Sequence, residues 1–151
     1  MAVLLARIGT DYPMSSEQFV NLELVLGIAA LFGHIFPVYA GFRGGKGIAT
    51  LLGVVIAINP MAAMYTSIVF IIVLITTRYV SLSSMIASAA FPVYILFIEK
   101  SDYLSLNTFS LFITVLVIIT HQKNIERLIR REESKIFDKN KNIEDDDEVD
   151  D

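Results

Sequence analysis

The chain has 151 residues, of which 54% are hydrophobic and 19% charged, and its formal net charge is −4. That apolar fraction exceeds the roughly 45–50% of a soluble domain and excludes a chain disordered throughout. The absence of Cys excludes a disulfide-stapled secreted module and a Cys-ligated metal domain. The net charge averages two unlike regions: residues 138–151 hold eight acids against two bases, net −6, whereas residues 1–137 hold ten bases against eight acids, net +2.

Residues 1–6 are apolar but stop at Arg7. They are too short to span a membrane, lack the basic start of a signal peptide, and read as the end of a helix whose beginning is missing. The run 24–41 is uncharged and ends in GFRGGKG. From 47 to 77 nothing is ionisable, which is too long for one ordinary span, and Asn59-Pro60 divides it as a turn signal. This predicts helices over 47–58 and 61–77. Two further charge-free runs follow at 81–98 and 104–120. The predicted fold class is all-α: a polytopic transmembrane helical bundle with about five spans plus the remnant of a preceding helix. Residues 1–137 form the membrane-embedded domain, and the low-complexity acidic block 138–151 is predicted to be a disordered, solvated tail.

Alternation of the spans assigns the loops to two sides. One receives the turns at 41–47 and 77–81 and everything after Thr120; the other receives 9–23, the Asn59-Pro60 turn and 99–103. Arg43, Lys46, Arg78, Lys123, Arg127, Arg130, Arg131 and Lys135 fall on the first side, Lys100 and Arg7 on the second. The positive-inside rule makes the first side, and with it the C-terminus, cytoplasmic.

The unusual polar residues cluster in the three loops of that side. In GHIFPVYAGFRGGKGIAT, residues 33–50, four glycines and two cations lie within 41–47, directly before a helix. Glycine admits positive φ and lets an anion approach backbone N–H groups, and a helix N-terminus adds free donors and a positive dipole end. With Lys46 and Arg43 the loop suits a phosphate. It is not a Walker A loop: 41–46 is one residue too short, and Gly47 stands where Ser or Thr would bind magnesium. A tight re-entry turn whose cations only obey positive-inside is the alternative. The second loop offers Arg78 with Ser81, which also fit a topological anchor and a helix cap. In the third, His121, Asn124 and Arg127 recur at i, i+3 and i+6, roughly one helical face if the last span continues. An amphipathic basic helix on anionic lipid is the alternative there. No carboxylate dyad, Cys nucleophile or metal cluster accompanies these groups, so positioning and electrostatics would carry the chemistry. No cofactor, metal or nucleic-acid partner is expected.

The three segments GHIFPVYAGFRGGKGIAT, RYVSLSS and HQKNIERLIRREE resemble, in order and spacing, the signatures of the bacterial acyl-phosphate:glycerol-3-phosphate acyltransferase family (the PlsY type), over residues 1–137. The resemblance implies an integral inner-membrane enzyme moving a fatty acyl group from acyl phosphate to the 1-hydroxyl of sn-glycerol 3-phosphate. The products are 1-acylglycerol 3-phosphate (lysophosphatidate) and phosphate, without CoA or carrier protein as direct donor. By position it implies that Gly44, Gly45, Lys46 and Gly47 cradle a phosphate beside Arg43, where the family commonly has Lys. Arg78 and Ser81 would belong to the pocket wall, and His121 and Asn124 would contact glycerol 3-phosphate. Glu133 matches the acidic end of the last motif, and Arg131 replaces a common Gly. Lys46 and His121 are the catalytic candidates. Expected partners are acyl phosphate, glycerol 3-phosphate, membrane lipid and the acyl-phosphate-producing enzyme. The family begins with a further helix and a Ser/Gly/Asn-rich loop, so the resemblance implies an N-terminally truncated member. An inactive fragment and a transport or structural protein are the competing readings. The second conflicts with spans that lack ionisable groups.

Overall fold

The computed structural model describes residues 15–38, 41 and 44–136. Among them every regular element is helical: α1 (Ser16–Ile35), α2 (Ile48–Ile58), α3 (Pro60–Thr77), α4 (Val80–Val93) continued by a π-helix (Tyr94–Glu99), α5 (Leu104–Thr120) and α6 (Gln122–Ile129). The expected all-α class is present. The remnant helix at 1–6, Arg43 and the acidic tail lie outside the described residues.

Helix α1 begins eight residues before the charge-free run that predicted it. Ser15 accepts a hydrogen bond from the Gln18 N–H, and the Gln18 side chain accepts from the Ser15 N–H, a reciprocal cap that lets the helix start in polar sequence. It ends at Ile35 rather than Gly41, because Pro37 disfavours helical geometry at Phe36 and supplies no N–H. Glu17 and Glu23, expected in a loop, are therefore helical, and Glu23 is buried. Asn59 ends α2 and caps α3, its side chain accepting from Ala62 N–H at 2.9 Å, with Pro60 in the first helical position.

The helices close a ring: α1 packs on α2, α2 on α3, α3 on α4, α4 on α5, and α5 on α1. Leu31, Val54, Ala62, Phe91 and Ile113 meet in its interior, while Ile68, Ile72 and Ile75 of α3 face outward. That outward face is the one lipid would cover. Gly27 sits where a Cβ would approach Val54 Cγ1 to 2.5 Å, which sets the close α1–α2 contact. Along α4, Ser83, Ser84 and Ser88 are buried, and each hydroxyl donates to a carbonyl of its own helix one turn back. Pro92, inside the same helix, cannot donate to the Ser88 carbonyl. The Thr114 hydroxyl of α5 does so instead, at 2.8 Å.

Helix α1, helix α3 and α4 with its π extension are long and apolar enough to cross a membrane, as is the α5–α6 pair taken together. Helix α2 has 11 residues. At 1.5 Å per residue it extends about 16 Å, half of the roughly 30 Å hydrocarbon layer. The expected number of about five thus counts helices, not full-length spans. Two of the predicted groups of loops separate to opposite ends: the Asn59 amide donates to the Glu99 carboxylate at one, while Lys46 and Gly47, the start of α4 and His121 meet at the other.

Candidate active site

A cavity of about 410 Å³ opens at the second end of the bundle, lined among others by His34, Lys46, Gly47, Ser81, His121, Asn124 and Glu133. Each arrives from a different terminus: His34 from the last turn of α1, Lys46 and Gly47 from the loop before α2, Ser81 from the first turn of α4, and His121 and Asn124 from the α5–α6 break. Sequence positions far apart are therefore side by side because the chain runs back and forth, which brings the ends of α1 and α5 and the starts of α2 and α4 to one rim.

The glycines of the first loop have separate physical reasons. Gly47 adopts φ 77, and a Cβ there would come to 2.8 Å from Leu31 Cδ1. No side chain caps α2, and Gly47, Ile48 and Ala49 at its start line the cavity. Free N–H groups and the positive end of the helix dipole therefore meet Lys46 at one place. Gly44 and Gly45, expected in the cradle, are not among the lining residues. A Cβ on Gly44 would collide with the His34 and Ile35 carbonyls, and one on Gly45 would lie 2.8 Å from His34 Nε2. These two glycines seat the loop on the end of α1.

Helix α5 does not continue through His121. The chain bends by 59° there, so His121, Asn124 and Arg127 do not form one uninterrupted face. His121 and Asn124 are buried at the cavity, whereas Arg127 is half-exposed. The Val117 carbonyl lies 2.8 Å from His121 Nδ1. A carbonyl only accepts, so this assigns the proton of the neutral ring to Nδ1 and leaves the lone pair on Nε2.

Glu133 is the hub of the site. Its Oε1 accepts from Ser81 Oγ at 2.6 Å and Asn124 Nδ2 at 2.7 Å, and its Oε2 pairs with Arg127 Nε at 2.9 Å. Desolvation pushes this carboxyl up. The hydrogen bonds from Ser81 and Asn124, with the charges of Arg127 and Lys46, outweigh that and hold it below the usual carboxylate range. The segment around it forms a strap over the α3–α4 turn: Ile136 N–H donates to the Arg78 carbonyl at 2.9 Å, and Lys135 Nζ lies 5.5 Å from the Tyr79 ring centroid.

Arg78, expected in the pocket wall through its side chain, is exposed and is not among the lining residues. It ends α3 with φ 62 and serves the strap through its backbone. His34 and Ser84 line the cavity although the motifs assigned them no role. The signal for His34 was its place in the last turn before the glycine loop; for Ser84 it was the three-residue spacing from Ser81, one turn along the same face.

A second cavity, of about 380 Å³, lies between α2, α3 and α4 and is lined by apolar side chains and by the hydroxyl residues Thr66, Ser67, Ser84 and Ser88; it shares Ile48, Phe70 and Ser84 with the polar one. Among the described residues no group of three or more His, Cys, Asp or Glu is placed to hold a metal ion.

Fold and site together define a multi-pass helical membrane protein with a basic, imidazole-bearing cavity at one end of its bundle and an apolar cavity behind it. The sequence model of the family described as Glycerol-3-phosphate acyltransferase matches residues 1–131, and the chain belongs to that family. It is 42% identical over 124 residues to glycerol-3-phosphate acyltransferase 2 of Bacillus anthracis, covering 82% of this chain and 63% of the relative. It is 39% identical over 130 residues to the glycerol-3-phosphate acyltransferase of Staphylococcus aureus (strain Newman), covering 86% and 62%. Its fold is similar to that of PlsY (YgiH), an integral membrane glycerol 3-phosphate acyltransferase, in the crystal structure of the glycerol 3-phosphate form. The TM-score is 0.75 and the identity 32%, over 90% of this chain and 64% of that one. The lysophosphatidic acid form gives a TM-score of 0.73. The chain spans less than two thirds of the length of these relatives.

Proposed function

We propose that this protein transfers a fatty acyl group from acyl phosphate to the 1-hydroxyl of sn-glycerol 3-phosphate. In this reading the hydroxyl oxygen forms a bond to the acyl carbonyl carbon, the bond from that carbon to the phosphate oxygen breaks, and 1-acylglycerol 3-phosphate and phosphate leave. Lys46 and the N-terminus of α2 hold a phosphate. Asn124 and Ser81 position the polyol, with Gly44, Gly45 and Gly47 shaping the loop, Arg43 adding positive charge for the phosphate and Glu133 fixing Asn124 and Ser81. His121 Nε2, or the phosphate of the substrate itself, takes the hydroxyl proton. The apolar cavity receives the acyl tail. The observation that carries this reading is the meeting of Lys46, an uncapped helix start and a neutral imidazole on one cavity that adjoins an apolar one.

The cavity end carries Lys46, Arg78, Lys123, Arg127, Arg130, Arg131 and Lys135, which supports a cytoplasmic site and C-terminus in a bacterial inner membrane. That is also where the acyl-phosphate-producing enzyme would meet it. The protein purified in detergent should form labelled lysophosphatidate from palmitoyl phosphate and radiolabelled glycerol 3-phosphate. Lys46→Ala and His121→Ala should each lower kcat/KM by about 100-fold or more, the range of lost electrostatic or general-base assistance, with Tm unchanged. Wild-type rates in both variants would remove these residues from the reaction.

A further inference from the structure

We infer that Phe91 forms the floor of the acyl subsite and gauges only the first part of the fatty chain. This inference rests on the acyltransferase reading for the identity of its occupant. The two cavities share Ile48, Phe70 and Ser84 in their linings, so an apolar cavity adjoins a group held in the polar one. From Ser84 the lining side chains of α4 descend through Ala87 and Ser88 to Phe91. That is seven residues, or about 10 Å of helix. On α2 the same depth separates Ile48 from Val55. Phe91 is buried and backed edge-to-face by Phe109, the ring centroids 6.4 Å apart at 89°, with Ile113 beside it. The floor is therefore a packed aromatic pair rather than a single mobile side chain.

The hydroxyls along the walls do not alter the chemistry of the occupant. Thr66 Oγ1 donates to the Ala62 carbonyl at 2.9 Å, Ser84 Oγ to Val80 at 2.9 Å and Ser88 Oγ to Met85 at 2.8 Å. With those three protons committed to their own helices, Ser67 is the one further hydroxyl in the lining, and the rest of the wall offers an incoming chain apolar contact. At about 1.25 Å of projected length per C–C bond of 1.5 Å, a 10 Å descent accommodates roughly eight methylenes. A palmitoyl chain has about six methylenes more than that, and its remaining carbons lie outside the cavity.

The consequence is a discrimination curve with a break. Each methylene that enters the cavity should raise kcat/KM about fourfold, the equivalent of about 0.8 kcal/mol, until the floor is reached near ten carbons. Beyond that length the curve flattens. Phe91→Leu and Phe91→Ala lower the floor and should move the break to longer chains, by about one and three carbons respectively. Ala87→Phe fills the middle of the cavity and should move it below about eight carbons.

The test is competition between pairs of acyl phosphates of six to sixteen carbons, with product ratios read by mass spectrometry. Wild type and variants share the same substrate mixture and detergent, so partitioning into the micelle cancels. A parallel series measures the Tm shift given by alkylphosphonates of the same lengths, which needs no turnover. Opposite movements of the break for Phe91→Leu and Ala87→Phe, in both series, are expected. Unchanged product ratios and Tm series, or movement of both variants in one direction, would overturn the gauge. Absence of product from every acyl phosphate, with a Tm series that still breaks and still moves with Phe91, would overturn the acyltransferase reading and leave the gauge standing.

Discussion

Glu133 shows how one side chain organises several others. It accepts from Ser81 and Asn124 and pairs with Arg127, and its side chain is only 10% exposed. Its carboxyl lies below the usual carboxylate range, so it binds fewer protons when folded than when unfolded. Its stabilisation is fully present above its unfolded pKa and is lost as pH falls through the lower folded value. Glu133→Gln keeps an acceptor for Ser81 and Asn124 but removes the charge facing Arg127. It should cost about 1–2 kcal/mol at neutral pH and flatten the acid limb of the Tm–pH profile. An acid limb identical to wild type would separate Glu133 from the acid sensitivity of the strap. Gly47 is the second telling residue. Gly47→Ala forces a Cβ into left-handed geometry and toward Leu31, at a cost of about 1–2 kcal/mol. Because Lys46 is carried by the same turn, kcat/KM should fall together with Tm.

At the scale of elements, the α4–α5 contact depends on a substitution of donors. Pro92 leaves the Ser88 carbonyl without its usual partner, and Thr114 supplies one from the neighbouring helix. Thr114→Val should destabilise by about 1 kcal/mol. The effect should shrink in a Pro92→Ala background, where residue 92 regains an N–H, and equal costs in both backgrounds would show that the two groups are not coupled. Such pairings explain what the sequence could and could not disclose. Charge-free runs placed α2, α3, α5 and α4 taken with its π extension within a residue or two, because in a membrane the apolar run itself is the physical requirement. The start of α1 escaped because a Ser15–Gln18 cap extends a helix into polar sequence, and its end because Pro37 acts through its neighbour. The bend at His121 escaped as well, since no Pro or Gly marks it. Lys46, Gly47, Ser81, His121 and Asn124 were legible as loop residues of unusual type on one side. The inward fold of Glu133 and the exclusion of the Arg78 side chain from the lining were not, because both depend on where residues 132–136 cross the α3–α4 turn.

Among the described residues the helices close a ring, and Lys46, Ser81, His121, Asn124 and Glu133 gather at one rim. The residues lining the cavity lie between His34 and Glu133, so deletion of residues 138–151 should change turnover by no more than about twofold, the range of surface changes. A larger loss would give the acidic segment a role in the site. A reporter fused after residue 136 should report the same side as one placed in the loop before α2, and opposite sides would overturn the assigned topology. The strap also bears on the order of assembly. The Ser81–Glu133 hydrogen bond joins positions 52 residues apart, and the cavity draws on the chain from His34 to Glu133. No early-folding portion of the chain contains a finished site, because the last contributor emerges only after five helices have entered the membrane. Closure of so long a loop makes completion of the site a late event in folding. A nascent chain that has inserted most of its helices therefore holds the imidazole and the lysine without the carboxylate that locks Ser81 and Asn124.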